Sequence, residues 1–218
     1  MPTALVIGAS RGLGLGVVRE LARRGWSVNG TVRADADRAA VEAAGGTAAI
    51  ADVTDAAAIE ALPKTPLDLL FINAGVSGPA HQDAGRATPD EVSALFLTNA
   101  LAPVAAARIL RDRIAEGGVL AFMTSRMGSV ADNSSGDMEL YRASKAALNS
   151  LSRSLMAKLD RPLTVLSLHP GWVRTDMGGG GAPLDVKTSA RGLVDTILAH
   201  QGTPGSAFLD YSGAELPW

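Results

Sequence analysis

The chain has 218 residues, 20 Lys and Arg against 22 Asp and Glu, a formal net charge of −2 and no cysteine. That length can bury a sizeable α/β core, and 47% hydrophobic with 19% charged residues excludes a disordered chain. The balanced charge gives no footprint for nucleic acid or an anionic membrane, and without cysteine there are no disulfides, thiolate metal sites or cysteine nucleophiles.

The amino end, Met1 to Ile7, is apolar but lacks a charged leader or cleavage site, so it does not read as a signal peptide. Apolar runs recur at 4–7, 27–32, 47–53, 67–72, 118–124, 164–168 and 207–211, and most are near-continuous, as strands covered on both faces are. Helical patterns lie between them. Leu13, Val17 and Leu21 sit four apart, with Arg23-Arg24-Gly25 at the helix end. Thr88-Pro89-Asp90-Glu91 combines capping-box spacing with proline at the first helical position. The stretch 94–107 is broken by Thr98, Asn99 and Pro103, too short and polar to span a bilayer. Leu148, Leu151, Leu155 and Leu159 extend a stripe that begins near Tyr141, and 189–200 carries Leu193 and Ile197 with Gly202 just beyond. Strands alternating with helices predict an α/β fold, a doubly wound parallel sheet of about seven strands flanked by helices on both faces. No linker or repeat divides residues 1–218, and Gly178 to Gly181 reads as a loop.

The chemistry is concentrated at strand ends. Gly8-Ala9-Ser10-Arg11-Gly12-Leu13-Gly14 closes the first strand and opens the first helix, where glycines permit a tight turn and the helix terminus presents free N–H groups to a pyrophosphate. Tyr141 and Lys145 lie four apart on one helix face, where an ammonium favours the phenolate. Ser125 sits at the carboxyl end of the fifth strand, the edge where open α/β sheets bind ligands. Pro103 has no N–H, so the Asn99 carbonyl loses its helical partner and is free to hold a water. Taken alone, Ser125 reads as a turn serine, Tyr141-x-x-x-Lys145 as a surface pair, and Asp52 as a cap for the segment after it.

In this order, the Gly-x-x-x-Gly-x-Gly turn, Asn73-Ala74-Gly75, Asn99, Ser125, Tyr141-x-x-x-Lys145 and the Pro170-Gly171 element resemble the short-chain dehydrogenase/reductase family. The short length and the ending Phe208-Leu209-Asp210-Tyr211-Ser212-Gly213 resemble its small C-factor-like and carbonyl-reductase-like branch. The resemblance implies a Rossmann-type, single dinucleotide-binding domain with a substrate loop at about 176–189. It implies a catalytic set of Asn99, Ser125, Tyr141 and Lys145: Tyr141 gives the proton, Lys145 lowers its pKa and holds the ribose, Ser125 polarises the carbonyl, and Asn99 anchors a water relay. The cofactor would be held by Gly8, Ser10, Arg11, Gly12, Leu13 and Gly14 at the pyrophosphate, and by Asp52 and Val53 at the adenine. Asn73, Ala74 and Gly75 would lie against the ribose, and Pro170, Gly171, Val173 and Thr175 against the nicotinamide. Arg33, ending the second strand, suits a 2′-phosphate, and Arg11 is placed to reach the same group, so NADP(H) is expected over NAD(H). Two departures stand out: Ile7 replaces a Thr before the first glycine, and Ile72 replaces the first of two Asn. The connection from Ser125 to Tyr141 is slightly long.

The expected function is hydride transfer between NADP(H) and a carbonyl or alcohol substrate. The alternative is a C-factor-like signalling protein with little turnover, and an isomerase or dehalogenase without net redox is a third reading. Met127, Met138, Trp172 and Met177 are expected to border an apolar substrate pocket. His169 has no triad partner and reads as structural; His81 and His200 are too far apart for a metal site. A cytoplasmic homodimer or homotetramer, with no nucleic acid or membrane partner, completes the expectation.

Overall fold

The structure is a computed structural model describing all 218 residues. Seven strands, β1 (Thr3–Ile7), β2 (Ser27–Val32), β3 (Thr47–Ile50), β4 (Leu67–Ile72), β5 (Ile114–Met123), β6 (Thr164–His169) and β7 (Gly205–Asp210), form one sheet in the order β3-β2-β1-β4-β5-β6-β7. Every neighbouring pair is parallel, so each connection must cross a face of the sheet. The continuous hydrophobic runs resolve into two faces. Ala4, Val6, Leu69 and Phe71 pack under α1 (Gly12–Arg23), α2 (Arg38–Ala43) and α7 (Val186–His200). Leu5, Ile7, Leu70 and Ile72 pack under α3 (Ala56–Glu60), α5 (Ala102–Leu110) and α6 (Glu139–Met156).

Most strand boundaries fall within two residues of the sequence expectation, and three differences have a visible cause. The run 47–53 leaves the sheet after Ile50, because the β2–β3 ladder ends at Val32 opposite Ile50. β5 begins at Ile114 rather than 118, its pairing with β4 slipping between Leu67 and Leu69. The last long helix begins at Val186 rather than 189, because Asp185 caps it by accepting from the Thr188 N–H at 2.7 Å. The loop expected to end near 189 therefore ends at Asp185.

α4 (Pro89–Phe96) opens with the expected capping box between Thr88 and Glu91. It runs into α5 through a widened turn, Leu97–Leu101, in which the Ala102 N–H reaches back five residues to the Leu97 carbonyl. Pro103, which has no N–H to give, follows that turn directly. The wide turn buries Asn99 fully while leaving Leu97 and Leu101 exposed. The run Pro89–Arg113, with mean hydropathy 1.5 over its most apolar stretch, is long and apolar enough to cross a membrane, but Ala106, Ala107 and Leu110 on it are core residues.

Glu20 joins α1 to α7. Its carboxylate accepts from Arg23 and Arg24, and Arg24 also meets Asp195 on α7 at 2.7 Å. The hydrogen bond from Arg23 leads the effects that hold its pKa down at about 2, although burial opposes them. A depressed carboxylate contributes its stability above the unfolded-state pKa and loses it as pH falls through the folded value. Glu20→Gln is therefore expected to cost about 1–2 kcal/mol at pH 7, a figure reduced for the exposed Arg23. Urea melts should show the gap to wild type closing between pH 4.5 and 2.

Candidate active site

β1 and β4 are adjacent in the sheet, but the helices that follow them cover opposite faces, so a crevice opens between their carboxyl ends. The Asn73 and Ala74 N–H groups both donate to the Ile7 carbonyl, and Asn73 Nδ2 donates to the Gly8 carbonyl at 2.7 Å. Gly8 has φ +85°, and a side chain there would meet the Ala74 backbone at 2.9 Å. Gly14 approaches the Gly8 carbonyl and Asn73 so closely that a Cβ would overlap them. Beside the departure at Ile7, the Thr31 hydroxyl accepts from the Gly8 N–H at 2.9 Å. No local pattern marked Thr31 for this role.

A cleft of about 620 Å³ runs from this turn along the sheet edge. Of the expected residues it is lined by Gly8, Ser10, Arg11, Gly12, Leu13, Arg33, Asp52, Val53, Asn73, Ala74, Gly75, Tyr141, Lys145, Pro170 and Thr175. Gly14, Asn99, Ser125, Gly171 and Val173 are not part of that lining; the Ser125 hydroxyl accepts from the Met127 N–H at 3.1 Å. Gly171, at φ +80°, makes room for Leu184 and Tyr211. Val173 bridges to Leu184, and the Thr175 hydroxyl accepts from the Gly178 N–H within the same loop. Of the four side chains expected at the substrate pocket, only Met177 lines the cleft. Trp172 is exposed, its indole N–H held by the Gly178 carbonyl, and Met127 and Met138 are half-buried.

The cleft fits a dinucleotide. Arg11 precedes α1 without capping it, and the first turn of α1 has no acidic residue, so its N–H groups remain open to an anion. Thr124, lining the cleft, is buried with a hydroxyl that has no protein partner. At the far end Arg33 has no ion pair, while Asp35 is engaged by Arg38 at 2.8 Å and does not compete for it. Asp52 caps no helix: its Oδ1 accepts from the Thr54 N–H and hydroxyl, which holds its pKa down, and Asp55 caps α3 instead. Arg11 meets Asp176 of the β6–α7 loop at 2.6 Å, a lip-to-lip ion pair with both side chains about three-quarters exposed.

At the chemical end Asn99, Ser125 and Lys145 are buried, and Tyr141 is half-buried with one side on the cleft. Lys145 Nζ donates to the Met123 carbonyl at 3.0 Å and lies 5.8 Å from the centre of the Tyr141 ring. A side chain on Gly75 would stand 3.2 Å from Asn99 Oδ1 and 3.3 Å from Lys145 Nζ, so this glycine keeps space for both. Asn99 grips Val76 with both ends of its amide, at 2.8 Å each, and donates to Ser144 Oγ at 3.0 Å. The expected downward pull of Lys145 on Tyr141 is not what sets the phenol: burial pushes it up to about 12, with Ser125 pulling the other way. Burial likewise pushes Lys145 down to about 8. His169 is pushed down to about 4, by burial first and by the charge of Arg126 next, so it is neutral at physiological pH.

An open, fully parallel α/β sheet with a glycine turn at its first crossover and a Ser-Tyr-Lys group at the same edge is the frame of a dinucleotide-dependent enzyme. The family model of the short chain dehydrogenases matches residues 2–181, so the chain belongs to that family and is an oxidoreductase. It is 42% identical over 158 residues to the C-signal protein of Myxococcus xanthus, covering 70% of this chain and 93% of that one. A carbonyl reductase of Pseudomonas aeruginosa PAO1 in complex with NADP superposes with a TM-score of 0.90 at 43% identity, over the whole of both chains. A short-chain dehydrogenase/reductase structure from Burkholderia multivorans with bound NADP gives a TM-score of 0.95 at 40% identity, covering 100% of this chain and 99% of that one.

Lys145→Met is expected to stabilise the fold. Below about pH 8 the wild type buries an ammonium. Between pH 8 and 10.5 the unfolded chain binds a proton that the folded chain has lost, so wild-type stability rises with pH across that window. Allowing for the lost bond to Met123, the variant should gain about 1–2 kcal/mol at pH 7. Thermal melts at neutral and alkaline pH should show that gain shrinking as the solution becomes more basic.

Proposed function

We propose that this chain reduces a carbonyl compound, or oxidises the corresponding alcohol, with NADP(H) as cofactor and Tyr141 as the proton-transferring group. The observation that carries this reading is that one cleft is lined by Arg11 and Arg33 and also by Tyr141 and Lys145. NADP(H), when bound, supplies the hydride in reduction and accepts it in oxidation. The NADP-bound Pseudomonas and Burkholderia structures support the choice of NADP(H), with NAD(H) as the weaker cofactor.

Arg33, which has no ion pair, would hold the 2′-phosphate through charge-assisted hydrogen bonds, and Arg11 would join it on leaving Asp176. The N–H groups at the start of α1, with Ser10 and Leu13 beside them, take the pyrophosphate. Asp52 and Val53 border the adenine, Asn73 to Gly75 the ribose, and Pro170, Gly171, Val173 and Thr175 the nicotinamide. Lys145 would hold the ribose hydroxyls. Ser125 donates to the substrate oxygen, where negative charge develops in reduction. With its pKa at about 12, Tyr141 is a protonated donor at neutral pH and delivers the proton from Oη to that oxygen. That proton stays on the product hydroxyl, and Tyr141 takes a replacement from solvent through a water on the Asn99 carbonyl, which the missing N–H of Pro103 leaves open, and Lys145.

The 170–185 loop covers the substrate, with Met177 on the apolar side of the cleft. The likeness to C-signal keeps signalling as the second reading, and the complete Asn99, Ser125, Tyr141 and Lys145 set favours turnover. We place the enzyme in the cytoplasm, with which its lack of cysteine is compatible, as one dinucleotide-binding domain in a homodimer or homotetramer. Exposed Leu97 and Leu101, together with exposed Ala143 and Ser150 on α6, support close packing of a second copy.

Tyr141→Phe should lower turnover with NADPH and a carbonyl substrate by about 10²- to 10⁴-fold with the fold intact; retained turnover would refute its role. In isothermal titration, Arg33→Ala should weaken NADPH binding by about 10- to 100-fold and leave NADH unaffected. Equal loss for both cofactors would refute the 2′-phosphate assignment, and a monomer mass in light scattering would refute the oligomer.

A further inference from the structure

Tyr141 is the third residue of α6, in the turn whose N–H groups have no partner within the helix. The residue that ordinarily caps such a turn is Met138, which sits in the left-handed region at φ 58° and offers no capping side chain. The cap comes instead from 59 residues earlier. Gln82 Oε1 accepts from the Tyr141 N–H at 3.0 Å, while Gln82 Nε2 donates to the carbonyls of Ser77 at 2.8 Å and Pro79 at 2.7 Å.

Four further observations mark Gln82 as a fixed part. It is 9% exposed, and its own backbone is left-handed at φ 54°, a conformation a glutamine holds only when its surroundings impose it. The contact is reciprocated, since Glu139 of α6 accepts from the Ala84 N–H at 2.8 Å. At its other end, the same loop is gripped by the Asn99 amide at Val76. The segment from Val76 to Ala84 is therefore a strut with Asn99 at one end and the start of the Tyr141 helix at the other.

We infer that Gln82 is a positioning residue for Tyr141: by capping its N–H, the Gln82 amide sets the first turn of α6 against the cleft and so aims the phenol. The inference rests on the reading of Tyr141 as the proton donor. Fraying of that turn moves the ring relative to the substrate, and displacement of a reacting group by about 1 Å lowers turnover by about 10²-fold. Cofactor binding at Arg33, Asp52 and the glycine turn involves no contact with Gln82.

The test compares Gln82→Met, which keeps the length and removes both hydrogen-bonding ends, with Gln82→Glu, which keeps an acceptor for the Tyr141 N–H. In Gln82→Met, kcat should fall by about 10- to 100-fold with KM for NADPH unchanged. Gln82→Glu keeps the acceptor but sets its second carboxylate oxygen against the Ser77 and Pro79 carbonyls, so its kcat should approach that of wild type only as pH falls and the carboxyl is protonated to donate to one of them. Unchanged kcat in the folded Gln82→Met protein, a parallel loss of kcat and NADPH affinity, or a ratio of Gln82→Glu to wild-type kcat that does not rise as pH falls would overturn the inference. Hydrogen exchange on the wild type needs no variant to fold. The Tyr141 amide should be protected while those of Glu139 and Leu140 exchange freely, and an unprotected Tyr141 amide would overturn the cap. Tyr141→Phe run alongside separates the two readings. If it keeps turnover, the catalytic reading fails and takes the Gln82 inference with it. If it is inactive while Gln82→Met turns over normally, only the Gln82 inference fails.

Discussion

The close approach of two strand ends carries most of this structure. The Ile7 carbonyl receives two N–H groups from the segment after β4, and Asn73 reaches the next carbonyl along. These contacts exist only because Gly8 and Gly14 have no side chains, and they fix where the glycine turn stands relative to Gly75. Gly75 in turn leaves the space that Asn99 Oδ1 and Lys145 Nζ occupy. A steric condition at the first crossover thus propagates, contact by contact, to the side chains of the chemical end, without any element having to move.

At that end burial acts on two groups in opposite senses. It disfavours the phenolate of Tyr141 and the ammonium of Lys145 alike, raising one pKa and lowering the other. The pair was legible from its spacing, but the spacing suggested that the ammonium would dominate the phenol. The fold gives burial the larger voice, because Lys145 is turned towards the Met123 carbonyl at the end of β5. The result favours a tyrosine that keeps its proton at neutral pH and a lysine that is costly to keep charged. The chemistry is therefore stationed at a place where the fold itself is under load.

Local patterns carried the rest of the sequence reading well. The hydrophobic runs gave the strand centres, Thr88 and Glu91 gave a helix start, and the glycine turn gave the crossover, because each is a relation among residues a few positions apart. What escaped were relations across the chain. Thr31 serving Gly8, Gln82 serving Tyr141 and Asp176 meeting Arg11 join residues that only the folded sheet brings together. The ends of elements escaped for a related reason: β3 stops where its partner strand stops, and β5 extends back to where β4 first pairs with it. The start of α7 is legible in Asp185-Val186-Lys187-Thr188, a capping carboxylate followed three residues later by the N–H that donates to it.

Arg11 and Asp176 stand on opposite lips of the cleft, and both are largely in solvent. An ion pair so placed is softened by dissolved salt over a screening length of about 8 Å at physiological ionic strength. The aperture between the glycine turn and the β6–α7 loop is consequently an electrolyte-sensitive dimension of the molecule, stiff in dilute buffer and slack in brine. The buried hydrogen bonds around Asn73 and Lys145 are shielded from that influence, so the mouth of the site can breathe with its medium while its floor keeps one shape.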